Sequence, residues 1–282
     1  MSLKIDLLLV LATQSLAAQP KAHFHHLHLN TTDPEAAAAF YTTKFEAEKR
    51  PFDGVPAVSA NNVWLLFNRV AKPPASEVTS AIWHIGWGGG DMRETYAKQL
   101  ASGTSFRTLL TDLSDQCDGR GGNGRFLFAY VDGPDHALIE INTTAPADHR
   151  FGHLHLLSAD PIAAGEWYTR HFGLTPKSAT PPSREKRFCC GRQTGPAVSL
   201  MMDAVNVIIY PLENAQAAFP DAWKNRKELE SSKGHAIDHV AFAVEDLAAT
   251  LKRLRTSGIR VIDGMFIEGP DRILIELIEE RR

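Results

Sequence analysis

The chain has 282 residues, of which 44% are hydrophobic and 22% charged. That is enough apolar material for one large or two ordinary domains around a buried core, and it excludes a disordered chain. The formal net charge of -3 gives no pull towards nucleic acid or an anionic membrane surface. The cysteines Cys117, Cys189 and Cys190 are odd in number and two are adjacent, so they form neither a disulfide framework nor a cysteine-based zinc site.

Residues 1–21 stand apart. Lys4, an apolar run over 7–12 and the small residues of Ser15-Leu16-Ala17-Ala18-Gln19 follow the pattern of a secretory signal. Asp6, at the start of the apolar run, weakens that pattern, and a disordered tail or an N-terminal helix is the alternative. The expectation is an exported protein, periplasmic or secreted, with a cytoplasmic one as the alternative. Export would also permit a bridge from Cys117 to Cys189 or Cys190, although no spacing asks for it. Beyond this segment no stretch is apolar enough to span a bilayer.

The first unit opens with His26-Leu27-His28-Leu29, whose alternation reads as a strand. Asp33-Pro34 follows, an N-cap with proline at the first helical position, and predicts a helix over 35–44. A second opening strand, Ile82-Trp83-His84, leads to Asp91, a helix over 92–101 and the stop Ser102-Gly103. A glycine-rich loop over 119–124 precedes strands over 126–131 and 137–142, the latter closing on Glu140. Residues 146–151 read as a linker between domains at 22–145 and 152–282.

The second half repeats the first. His153-Leu154-His155-Leu156, Asp160-Pro161, Tyr168-Thr169 and Phe172 lie 127 residues after their counterparts from His26 to Phe45, and predict a strand and a helix over 162–171. Ile237-Asp238-His239, Asp246 and Ser257-Gly258 echo the second opening strand and its helix, here over 247–256. Gly269-Pro270-Asp271 through Glu276 echoes Gly133-Pro134-Asp135 through Glu140. Further strands are predicted over 205–210 and 272–277. In all four units a histidine precedes an aspartate by seven residues: His26 and Asp33, His84 and Asp91, His153 and Asp160, His239 and Asp246. The chain therefore reads as α+β, with four copies of one βαβββ unit.

A first-strand histidine, an Asp-capped helix and a closing Gly-Pro-Asp strand that ends on glutamate resemble the vicinal oxygen chelate superfamily. That superfamily includes glyoxalase I, methylmalonyl-CoA epimerase, fosfomycin-resistance proteins and extradiol dioxygenases. The resemblance covers nearly all of the chain after residue 22. It implies two tandem glyoxalase-like domains, with metal ligands on the first and last strands of the units. Carried over position by position, the implied ligands are His26, His84 and Glu140 in the first domain, and His153, His239 and Glu276 in the second. The fourth ligand common in the family has no counterpart in Val63-Trp64-Leu65-Leu66-Phe67 or Val207-Ile208-Ile209-Tyr210.

Two imidazoles and a carboxylate can hold Zn, Fe, Mn, Ni or Co. The plainer alternative is that these are satisfied core histidines, although a buried glutamate with no cation is costly. His28 and His155 point to the same face as the proposed ligands, as donors behind them, substrate contacts or the true ligands. Tyr130, ten residues before Glu140, matches a tyrosine of extradiol dioxygenases, where Phe266 stands in the second half. The extra histidine that such enzymes carry before it is absent from 119–129. The resemblance implies a metal-dependent lyase, isomerase or epimerase acting on a small oxygenated substrate. The alternatives are an Fe(II) ring-cleaving dioxygenase and a bleomycin-resistance-like binding protein that needs no metal. A small-molecule substrate is the expected partner, and a homo-oligomer remains open. The basic loop over 181–192 and the tryptophans Trp64, Trp83, Trp87 and Trp167 are candidate substrate contacts or ordinary surface and core.

Overall fold

The structure, a computed structural model, describes residues 21–113, 126–143, 150–189 and 192–280. The tail at 1–20, the glycine-rich loop, most of the linker, Cys117 and Cys190 lie outside the described residues. Four βαβββ units follow one another. The first is β1 (Ala22–Thr31), α1 (Pro34–Phe45), β2 (Glu48–Lys49), β3 (Ala57–Ala60) and β4 (Val63–Arg69). The second is β5 (Ile82–Gly88), α2 (Met92–Ala101), β6 (Thr111–Asp112), β7 (Leu127–Asp132) and β8 (Leu138–Asn142). The third is β9 (Phe151–Ser158), α3 (Pro161–Phe172), β10 (Thr175–Pro176), a hairpin of β11 (Arg187–Cys189) and β12 (Arg192–Gly195), then β13 (Val198–Met202) and β14 (Val205–Pro211). Two short helices, α4 (Glu213–Ala218) and α5 (Pro220–Trp223), lead to the fourth unit. It holds β15 (Ile237–Val244), α6 (Leu247–Thr256), β16 (Val261–Asp263), β17 (Phe266–Glu268) and β18 (Leu274–Glu279).

The four expected caps are formed. Asp33 accepts from the Glu35 and Ala36 amides, Asp91 from those of Arg93 and Glu94, Asp160 from those of Ile162 and Ala163, and Asp246 from that of Ala249. Each carboxylate satisfies amides that the first turn of a helix leaves open. Gly103 and Gly258 follow the last turns of α2 and α6 with φ of 76° and 79°, a left-handed conformation that glycine adopts without strain.

The units combine into two eight-stranded mixed sheets. One runs β16-β17-β18-β15-β1-β4-β3-β2 and the other β10-β13-β14-β9-β5-β8-β7-β6. Each sheet therefore joins two units across an antiparallel seam, β1 on β15 and β5 on β9. The first and fourth units share one sheet, and the second and third share the other. Neither sheet is confined to one of the two stretches expected as domains, 22–145 and 152–282. Phe24 of β1 packs on Phe151 of β9 and Phe242 of β15, and Trp87 of β5 packs on Phe151, so the core is continuous between the sheets.

The repeated Gly-Pro-Asp turns tie consecutive units together. Asp135 accepts hydrogen bonds from the Thr31 hydroxyl, the Thr32 amide and the Thr32 hydroxyl at 2.5–2.9 Å. Asp271 accepts one from the Ala159 amide at 2.9 Å. Each turn of one sheet thus pins the end of the first strand of the other.

Candidate metal centres

The seams gather the candidate ligands into two groups. His26 and His28 lie two apart on β1 and face the same side of the sheet. His28 stands opposite His239 of β15, and Glu276 of β18 is registered with Ala241 one strand further on. The second group repeats this arrangement: His155 of β9 stands opposite His84 of β5, His153 lies opposite Gly86, and Glu140 of β8 is registered with Gly86. We call the first group the outer centre, because it joins the first and last units, and the second the inner centre.

The grouping implied by the sequence is therefore corrected. His26 does not meet His84 and Glu140, and His153 does not meet His239 and Glu276. His26 joins His239 and Glu276, while His153 joins His84 and Glu140. The cause is strand pairing: β1 hydrogen-bonds to β15 rather than to β5, so each centre draws on both halves of the chain. All six residues are nonetheless placed at one or other centre.

In the outer centre, Nε2 of His26 and Nε2 of His239 lie 3.1 and 3.2 Å from the same oxygen, Oε2 of Glu276. Nδ1 of His239 lies 2.7 Å from Oδ1 of Asp238. Burial opposes the charge of Asp238, yet hydrogen bonds from His239, the Gly234 amide and Asn30 outweigh it and hold its carboxyl below the usual range. An ionised carboxylate only accepts, so Nδ1 of His239 carries a proton, and in the neutral ring that binds a metal Nε2 would be the free end. That nitrogen, Nε2 of His26 and the Glu276 carboxylate converge on one point.

Protonation in this group follows from burial and from that convergence. Burial lowers the pKa of His239, but its contacts with Asp238 and Glu276 outweigh this and raise it. Burial likewise works against a charged Glu276, yet hydrogen bonds from His239 and His26 hold its carboxyl well below the ordinary range. His26 is lowered by burial. His28 is lowered to about 4 by burial and then by His239 and His26. Ligand atoms about 2.1 Å from one ion and at right angles are about 3 Å apart, close to the spacings of Glu276 from His26 and His239. The residues present therefore fit a metal ion.

A cavity of about 980 Å³ opens over this centre, lined by His26, His28, Glu276, Phe52, Trp64 and Arg50 among others. The Arg50 guanidinium lies 4.9 Å from the centre of the Trp64 ring, a cation–π contact. Phe52 packs 5.2 Å from Trp64 and 6.2 Å from His26.

In the inner centre, Nε2 of His84 lies 3.4 Å from Oε2 of Glu140, and Nε2 of His153 lies 3.7 Å from Oε1. Nδ1 of His155 lies 3.1 Å from Nε2 of His84. Asn142 donates to Glu140 at 2.6 Å. Buried Nε2 atoms of His153 and His155 have no hydrogen-bond partner, a cost that a metal ligand would remove. Burial lowers His153 to about 4 and His155 further. Tyr130 stands opposite Glu140 on β7, with its ring 5.1 Å from that of His84. Phe266 holds the same position in the outer centre, opposite Glu276 and 5.2 Å from His239.

The remaining candidates divide by place. Trp64 lines the outer cavity, whereas Trp83 packs 4.8 Å from both His84 and His155. Trp87 is core, and Trp167 packs against it. In the basic loop, Arg184 pairs with Asp160 and Lys186 with Glu213. Arg187 lines a separate cavity of about 1080 Å³ beside α3. Sequence reasoning passed over Asp238 and Arg50. Asp238 had a signal, a carboxylate adjacent to a candidate ligand. Arg50 had none, because strand pairing rather than sequence spacing brings it over Trp64.

Comparison with known proteins agrees with the fold. The family described as the Glyoxalase/Bleomycin resistance protein/Dioxygenase superfamily matches residues 150–277. Glyoxalase I from Zea mays shares the fold with a TM-score of 0.64 at 13% identity, over 92% of each chain. A provisionally named dioxygenase from Bacillus subtilis subsp. subtilis str. 168 does so with a TM-score of 0.54 at 12% identity, over 94% of this chain and 87% of the other. No curated protein sequence matches.

Proposed function

We propose that the chain is a metal-dependent enzyme of the vicinal oxygen chelate superfamily, whose family model matches its second half. Its substrate is a small molecule with two adjacent oxygens, and its chemistry is of the lyase, isomerase or epimerase type. The observation that carries this reading is the convergence of His26, His239 and Glu276 on one point in the floor of an open cavity.

The bound ion would act as a Lewis acid on the chelated oxygens and stabilise the charge that develops there. Asp238 holds the His239 ring by its Nδ1–H and so directs Nε2 at the ion, a buttress that raises ligand basicity. Asn30 donates to Asp238 at 3.0 Å, and Asn68 donates to Asn30 at 2.9 Å, so the buttress is itself fixed. Phe52 and Trp64 line the cavity beside the ligands. Arg50, stacked on Trp64, offers a cation to an anionic group of the substrate. Zn, Fe, Mn, Ni and Co all suit the donor set.

A second reading rests on Tyr130. Its place beside His84 and Glu140 favours Fe(II)-dependent ring cleavage at the inner centre. Both readings meet the same test: elemental analysis of protein purified without chelators or added metal, beside a His84→Ala/His239→Ala variant. About one or two ions per chain, lost in the variant, is the expected result. Iron would direct assays towards ring cleavage, and Zn, Ni, Co or Mn towards isomerase or lyase chemistry. Wild-type protein that stays metal-free after reconstitution would overturn both, and leave a binding protein of the bleomycin-resistance kind.

A further inference from the structure

Resting on the metal reading of the outer centre, we propose that His28 is a fourth protein ligand there, making a centre of three imidazoles and one carboxylate. Nδ1 of His28 lies 2.9 Å from Nε2 of His239. The donor atoms of His26, His28, His239 and Glu276 all lie within 4.8 Å of one another. Cis ligands on one ion about 2.1 Å away are about 3 Å apart, so the His28–His239 spacing is that of two neighbouring ligands.

The alternative is that His28 only hydrogen-bonds to His239. That role cannot coexist with an ion on His239. Asp238 already accepts a hydrogen bond from Nδ1–H, which leaves Nε2 as the sole ligand atom of the ring. An ion bound there displaces any proton between the two rings, and the Nδ1 lone pair of His28 is then left facing the ion. Strand β4, where the family's fourth ligand would stand, places Leu66 beside His28 and carries no carboxylate, histidine or cysteine. The counterpart of His28 in the second half, His155, is paired alike, with its Nδ1 3.1 Å from Nε2 of His84.

The ligand count bears on chemistry. Four protein ligands on a six-coordinate ion leave two positions, enough for one bidentate substrate. Three would leave room for a further small molecule beside it, as ring cleavage with dioxygen requires. His28 therefore favours isomerase or lyase chemistry at the outer centre.

The test is a crystal structure of the full chain loaded with Co(II). Nδ1 of His28 at about 2.1 Å from the ion is expected. An ion on His26, His239 and Glu276 with His28 beyond about 3 Å would overturn the inference and leave the metal reading intact. No ion at all in the outer centre would overturn both. In solution, His28→Leu in a His84→Ala/His153→Ala background isolates the outer centre. It should weaken Co(II) binding by at least ~10-fold and change the visible absorption of the bound ion. Unchanged affinity and spectrum would count against the proposal.

Discussion

Gly86 lies opposite His153 on the β5/β9 seam, and a Cβ built on it would fall 1.8 Å from Cε1 of that imidazole. The His153 ring thus occupies the space that a side chain at 86 would fill. The matching position opposite His26 is Ala241, where the ring lies elsewhere. Gly86→Ala should push His153 away from Glu140 and His84, remove the ion of the inner centre, and cost about 1–3 kcal/mol from overpacking. The outer centre should keep its ion. Metal content of the Gly86→Ala variant beside the wild type reads this directly, and loss of both ions, or of neither, would contradict it.

Elements show which parts of the fold a sequence can carry. The Asp caps were legible because an aspartate before a helix acts through its own side chain, within three residues. The helices at 35–44, 92–101, 162–171 and 247–256 appear within a residue at each end. Strands β2, β10 and β16 were not legible. They are edge strands of two or three residues, largely exposed, and only pairing with a neighbour defines them. The hairpin of β11 and β12 likewise lies in a stretch whose sequence shows only a basic loop. One element carries a correctable strain. The C-cap of α1 is Glu46 at φ 53°, whereas its repeat partner at the end of α3 is Gly173 at φ 74°. A left-handed residue with a Cβ costs about 1–2 kcal/mol, partly offset by the chain entropy that glycine loses on folding. Glu46→Gly should therefore raise the melting temperature, with a gain of up to about 1 kcal/mol. A thermal melt showing a fall would mean that Glu46 makes a compensating contact.

At the scale of the whole molecule, the repeat reveals the units but not their partners. His84 and His239 head equivalent strands, so β1 offers the same hydrophobic face and the same histidines to either. The sequence alone made neighbours in the chain look like neighbours in the site. The packing of Phe24 against both Phe151 and Phe242, and the Asp135 and Asp271 turns, hold the observed arrangement, in which β15 pairs with β1. This makes a prediction about coupling. Residues in one site act together, and residues in separate sites act additively. His26→Ala and His239→Ala come from opposite halves of the chain, yet each should remove the same ion, and the double variant should lose no more than either single one. His26→Ala and His84→Ala come from the same half and should together remove both ions. Metal stoichiometry of the three single and two double variants distinguishes the two groupings. If His26 and His84 instead removed one common ion, the seams would be paired as the chain order suggests, and the site would have to be rebuilt on that pairing.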